Sequence, residues 1–584
     1  MGGAPVTESP ETDSVETESP ETDRPAPETD PRPAAESAKP WWIRRYTFTG
    51  TAVGLVFIGL SLTPSLLPRG PLFQALVSGG SGAIGYGLGV FAVWLVRYLR
   101  SKRVSPPPPR WAWPVLVVLG GAGLAAMIVW FHIWQDRVRD LIGVAHLTWI
   151  SYPITAVLAV VVLFALVEIG QLTRRVYRLL VANLNRIAPP RVSRVVAASL
   201  LVALVIALLN GVVVKFAMHT MNSTFASVND ELDPNTAAPT SPQRSGGPGS
   251  LVSWESLGHQ GRIFVGGGPS VAELSEFNAA AATEPIRAYA GLNSADGIAE
   301  TAALAARELQ RTGGLDRAVV AVATTTGTGW VNEAEASALE YLYNGDTAIV
   351  SMQYSFLPSW LSFLVDKENA RQAGTALFEA VDELVRAMPE ADRPKLVVFG
   401  ESLGSFGGEA PFMNLNNVLA RTDGALFSGP TFQNTIWNDL TINRDAGSPQ
   451  WLPIYHRGSN VRFVAQPQDL HRPDDAPWDF PRVVYLQHAS DPIAWWRPDL
   501  LFHKPEWLKE ARGDDVLPEM RWIPVITFLQ VSADMAVAVD VPAGHGHHYG
   551  PDAADAWAAI LGPPGWTAQK TARLRPLLHS DEKS

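Results

Sequence analysis

The stretch Lys395-Leu396-Val397-Val398-Phe399-Gly400-Glu401-Ser402-Leu403-Gly404 decides the fold. An apolar run leads into Gly-x-Ser-x-Gly, and Gly407, Gly408 and a further apolar segment follow. That order predicts a strand, a sharp turn and a helix. Two glycines flank the serine because a Cβ at either place would collide inside so tight a turn. The turn would lift the Ser402 hydroxyl above a sheet edge, within reach of a histidine. The bare pentapeptide also arises by chance as a glycine-rich turn with a solvated serine, so its weight comes from its context.

Working outward, short apolar runs alternate with amphipathic stretches over residues 251–570. The strands expected are Ala318–Ala323, Ala348–Gln353, Lys395–Phe399, Gly424–Phe427 and Val483–Gln487, with a helix over Glu368–Arg386. This succession predicts an α/β domain with a mostly parallel, doubly wound sheet. Asp491 follows the strand Val483–Gln487, in His488-Ala489-Ser490-Asp491-Pro492. A carboxylate there lies at the functional edge of such a sheet. A plain N-cap role before Pro492 is the alternative. Near the C-terminus, Gly544-His545-Gly546-His547-His548-Tyr549 supplies three histidines in a glycine-rich loop. His545, between two glycines, is the expected base and His547 the alternative, since alternate residues of an extended loop share a face. A metal site is the third reading of the cluster. It lacks an acidic partner and HExxH spacing, and neither metal nor cofactor is expected.

The N-terminal half reads differently. Residues 1–40 repeat E-S-P-E-T-D from Glu8 and Glu18 and hold ten acidic and three basic side chains. So few apolar residues predict a disordered tail. The whole chain has a formal charge of −11, and outside this tail it is near neutral, which argues against nucleic acid as a partner. There is no cysteine, so disulfides and zinc-thiolate sites are excluded. Residues 41–218 contain five apolar runs of about 20 residues, enough to cross a bilayer core. They are Tyr46–Leu66, Ala75–Leu95, Ala112–Ile133, Ile150–Ile169 and Val195–Phe216. Ser81, Gly85 and Gly89 put small residues on one face of the second run, where close helix packing is expected. Arg97, Arg100, Lys102, Arg103 and Arg110 follow the second run, and Arg174, Arg175, Arg178, Arg186, Arg191 and Arg194 lie around the fourth-to-fifth connection. The positive-inside rule then predicts a multi-pass membrane protein with a cytoplasmic N-terminus and everything after residue 218 outside the cytoplasm. Residues 219–250 read as a linker and 571–584 as a C-terminal tail.

The α/β half resembles the α/β-hydrolase superfamily. The whole chain is similar to membrane-bound actinobacterial members with a multi-span N-terminal region and no known substrate. The resemblance rests on Leu257-Gly258-His259-Gln260-Gly261-Arg262, Thr326-Gly327-Thr328-Gly329-Trp330, Gln353-Tyr354-Ser355, the Ser402 turn, Gly429-Pro430 and Gly-His-Gly-His-His-Tyr from Gly544. It implies a serine-hydrolase fold. In that superfamily the triad runs Ser, Asp, His along the chain, the order of Ser402, Asp491 and His545 or His547. It implies an oxyanion hole from the Leu403 backbone N–H and the loop at Thr326 and Gly327. The expectation is a membrane-anchored serine esterase, lipase or thioesterase acting on small-molecule or lipid esters. A non-catalytic scaffold and a transporter's regulatory domain are the rival readings. Tyr354–Val365 would line an acyl pocket or form a lid, and Trp495 and Trp496 would add apolar surface near the site; core packing is the equal alternative for all these aromatics.

Overall fold

A computed structural model describes Met1 and residues 46–100, 108–207, 229, 231, 236–357, 362, 366–474 and 476–581. The expected disordered tail after Met1, the end of the fifth apolar run, the first part of the linker and much of Tyr354–Val365 lie outside the described residues.

Seven strands form one all-parallel sheet: β1 Ile286–Ala290, β2 Val319–Thr324, β3 Thr347–Met352, β4 Lys395–Glu401, β5 Gly424–Ser428, β6 Val461–Val464 and β7 Arg482–Leu486. Their spatial order is β1-β3-β2-β4-β5-β7-β6. Every residue of β2, β3 and β5 is buried. Helices cover both faces, which is why these strands read as continuous apolar runs instead of alternating ones. Among the described helices, α6 Ile298–Arg311, α8 Lys367–Ala387 and α9 Leu403–Glu409 pack on one face, and α7 Glu333–Leu342 and α11 Ala553–Leu561 on the other. The chain crosses from β2 to β3 on one side and from β4 to β5 on the other. The winding direction therefore reverses between β2 and β4, and their C-terminal ends border the crevice where open α/β sheets hold their ligands. Before Ile286, Arg244 forms an isolated bridge with Arg287 of β1, so the end of the expected linker is packed on the domain.

The N-terminal region is helical: α1 Phe48–Ser61, α2 Pro71–Leu99, α3 Ala112–Ile142, α4 Ser151–Leu184 and α5 Pro190–Ala207. Four of these, α2 to α5, are long and apolar enough to cross a membrane. The first expected span is shorter than its apolar run, because α1 is 14 residues long and Leu62–Leu67 continue as a loop. The small face of α2 is where α1 packs: a Cβ on Gly85 would lie 2.7 Å from Phe57, and one on Gly89 2.6 Å from the Thr49 carbonyl.

From Phe48 onward the chain is one unit. Leu66 and Leu67 of the α1–α2 loop, and Val138 and Ile142 at the end of α3, belong to the same buried cluster as the sheet. Helix α10, Ile526–Asp534, packs on both α1 and α2. Beyond Asp534 the chain continues as a turn of 3-10 helix to Val537. At 1.5 Å per residue, α2 is about 43 Å long. Its start adjoins the α/β domain, so Arg97 and Arg100 lie at the far end. Helix α4 runs the same way, carrying Arg174, Arg175 and Arg178 toward that far end.

Candidate functional site

Ser402 stands at the tip of β4, where φ is 57° and ψ −118°, a strained conformation for a residue with a side chain. Its flanking glycines explain how the turn closes. A Cβ on Gly400 would lie 2.6 Å from the Gly404 carbonyl, and one on Gly404 would strike the carbonyl oxygen of Thr324 at the end of β2. The Ser402 N–H donates to the Ser428 carbonyl of β5 at 2.9 Å, which locks the turn to the neighbouring strand. Helix α9 begins directly at Leu403, so the N–H groups of its first turn face the crevice.

Asp491 follows β7 and is fully buried. Its two carboxylate oxygens meet different partners. Oδ1 accepts from the N–H groups of Ile493 at 2.8 Å and Ala494 at 3.4 Å, capping a short helix. Oδ2 faces the histidine loop and lies 2.7 Å from His547 Nδ1. Against a carboxylate, Nδ1 carries the proton, and Nε2 keeps its lone pair. His547 Nε2 is buried and has no hydrogen-bond partner among the described residues. The ring lies over Gly429, which directly follows the Ser428 that holds Ser402: a Cβ on Gly429 would be 2.8 Å from His547 Nδ1. Ser402, Asp491 and His547 are thus gathered at one end of β4, β5 and β7, each less than a tenth exposed.

His545 points elsewhere. Its Nδ1 lies 3.6 Å from Asp515 Oδ2. With Trp451, His488, Asp514 and Asp515 it lines a separate cavity of about 420 Å³. The turn explains this: Gly544 and Gly546 take φ of +89° and +55°, so the loop is not extended and His545 and His547 do not share a face. The structure pairs the alternative, not the first choice, with Asp491.

In the loop after β2, the Thr326 N–H is spent on the Trp330 carbonyl at 3.0 Å, which removes it as an oxyanion donor. Gly327 sits tightly under Ser362, whose Cβ would lie 2.7 Å from an added Cβ. Of the two tryptophans, Trp495 is core and donates to the His488 carbonyl, while Trp496 packs on Phe432 and Phe528.

Further residues complete the site. Tyr549 donates its hydroxyl to Asp491 Oδ2 at 2.9 Å. Burial, with Asp491 beside it, pushes the phenol well above its ordinary pKa, so it stays a donor. Asn332 joins three elements: its amide donates to Glu401 and to the Tyr549 carbonyl, while its Oδ1 caps α7 through the Glu335 N–H. The sequence signal was there, an Asn three residues before a Glu at a helix start. Below Ser428, the Glu335 carboxyl is fully buried and accepts from the Ser428 hydroxyl. Burial raises it to about 8, opposed by that bond. Burial also lowers His488, whose Nδ1 meets the Gly546 carbonyl at 2.9 Å. Among the described residues, no group of three or more His, Asp or Glu side chains is placed to hold a metal.

Comparison with known proteins agrees with this architecture. A family model described as alpha/beta-hydrolase family matches residues 286–574, and one described as alpha/beta-hydrolase family N-terminus matches residues 62–269. No curated protein and no solved structure matches the chain.

Proposed function

Since the chain belongs to the α/β-hydrolase family, we propose that it is a membrane-anchored serine hydrolase of carboxylic esters, with Ser402 as nucleophile, His547 as base and Asp491 as the group that orients it. One observation carries this reading: His547 is held by Asp491 through Nδ1, while Nε2 is bare and buried among the described residues and the ring lies over Gly429, next to the Ser428 that holds Ser402. Ser402 Oγ attacks the ester carbonyl as His547 Nε2 takes its proton. Asp491 stabilises the imidazolium, which then protonates the departing alkoxide. Water, deprotonated by the same histidine, releases the acid. The N–H of Leu403, with that of Gly327, receives the charge that develops on the carbonyl oxygen.

The placement of the domain supports a substrate class. The α/β domain adjoins the ends of α2 and α3 that are remote from the basic loops. Basic loops favour the cytoplasm, which supports a site outside it, near the level where the helices leave the bilayer. Lipid or cell-envelope esters are the substrates within reach. Fluorophosphonate treatment of the full-length protein tests the reading. A phosphonyl adduct on the peptide carrying Ser402, absent from Ser402→Ala, is expected. Its absence from the folded wild type would refute it.

A further inference from the structure

The loop between α1 and α2 does more than link two helices. Its Leu66 and Leu67 are 1% exposed, and Arg69 is fully buried. Leu66 and Arg69 lie against the end of α10, and Leu67 against the histidine loop. Asp534, the last residue of α10, accepts from the Ser65 hydroxyl and from the Leu66 N–H at 3.1 Å. Arg69 Nε faces its other oxygen at 3.6 Å. One turn earlier, Gln530 donates to the Thr63 carbonyl at 2.8 Å and to the Ser61 carbonyl at 3.3 Å. A fully desolvated ion pair with these bonds is costly to assemble unless its geometry is fixed. A tether would need none of it.

The same segment of chain holds the base. Four residues past Asp534, the Ala538 carbonyl accepts the N–H of His547 at 2.8 Å. Leu67 reaches the loop itself: a Cβ on Gly546 would lie 3.4 Å from Leu67 Cδ1 and 2.7 Å from the Ala538 carbonyl oxygen. Gly546 is further tied by its N–H to Ser490 Oγ at 2.8 Å. His547 therefore rests on a backbone whose support comes from the N-terminal helices as well as from the sheet. A packed, hydrogen-bonded support of this kind is what keeps a reacting side chain within a fraction of an ångström of its working position.

We propose that the α1–α2 loop is a positioning element of the hydrolase site, which holds His547 in register through two contacts, Asp534 with Ser65 and Leu66, and Leu67 with the Gly546 turn. The proposal rests on the reading of His547 as the base. It makes the N-terminal helices part of the enzyme, and any movement of α1 against α2 would change the reactivity of Ser402. Leu67 and Asp534 are then positioning residues; neither touches substrate.

The test uses the full-length protein in detergent or nanodiscs. Fluorophosphonate labelling is followed to completion, so that rate and final labelled fraction are read separately. Leu67→Ala is expected to label at least tenfold more slowly, yet to the same final fraction as wild type. Asp534→Ala should behave alike, and Leu67→Met should return to within threefold of wild type. Ser193→Ala, whose hydroxyl bonds only backbone carbonyls at the start of α5, is the control at wild-type rate. A wild-type rate for Leu67→Ala would overturn the proposal. So would a lower final fraction at unchanged rate, the signature of lost folding without misplacement. Wild-type protein that does not label at all would defeat the hydrolase reading, and this inference with it.

Discussion

Replacing Asp491 by Asn is the sharpest perturbation of the site. The two side chains have nearly the same shape, so the change is one of hydrogen-bond polarity. Oδ1 accepts from the Ile493 and Ala494 N–H groups, and Oδ2 from His547 Nδ1 and the Tyr549 hydroxyl. An amide satisfies the two backbone donors only by turning its oxygen toward them, which points its NH₂ at His547 and Tyr549. The histidine must then accept at Nδ1 and carry its proton on Nε2. In that tautomer it cannot take the serine proton. Loss of the correct tautomer in a serine triad costs about 10⁴-fold, or about 5.5 kcal/mol of barrier. The Tyr549 hydroxyl also loses its acceptor, a cost to folding of about 1–3 kcal/mol. The assay is the rate of fluorophosphonate labelling of Ser402 in full-length protein, normalised to the fraction that finally labels. A fall of less than tenfold, with a full final fraction, would refute the assignment of Asp491.

Three further outcomes follow. Gly429 has φ of +53°, and a Cβ on it would lie 2.7 Å from the Tyr549 ring and 2.8 Å from His547 Nδ1. Gly429→Ala should therefore displace the imidazole and cut the labelling rate by about 100-fold; a near-normal rate would show that the ring is not held there. Glu335 titrates near 8 in the folded chain against 4.5 for the free side chain, because burial disfavours its charge. The folded state keeps a proton that the unfolded chain releases between those values, so stability is present below pH 4.5 and lost as pH rises through about 8. Glu335→Gln should flatten that decline, worth on the order of a few kcal/mol, in denaturant melts at pH 5, 7 and 8.5, and an unchanged slope would count against it. The chain has no cysteine, so single cysteines report topology cleanly: with a membrane-impermeant maleimide on intact cells, Ala446→Cys in the α/β domain should react and Asn185→Cys between α4 and α5 should not.

What the sequence could reveal depended on whether one physical signal acted alone. Five strands were legible as unbroken apolar runs. Strands β1 and β6 were not, because each carries an arginine. Arg287 in β1 is fully buried between Glu333 and Glu340, and Arg462 in β6 is held by carbonyls and the Trp478 ring. Their burial depends on partners distant in sequence. The run Tyr46–Leu66 read as a span because hydropathy does not separate lipid from protein interior. Its last residues leave α1 and bury themselves in the α/β domain. The serine turn and Asp491 were legible from local pattern and chain order. The choice between His545 and His547 was not, since positive φ at Gly544 and Gly546 sets where each ring points. Tyr549 joined the site through contacts across the fold, and the spacing that marks Asn332 as a helix cap says nothing of its bonds to Glu401 and Tyr549.

Everything proposed for this site turns on His547 being the base that serves Ser402. The most direct measurement compares the labelling rates of His547→Ala and His545→Ala in the full-length protein. His547→Ala should lose labelling by at least a thousandfold while His545→Ala stays within a few-fold of wild type. Loss in His545→Ala with labelling retained in His547→Ala would contradict it.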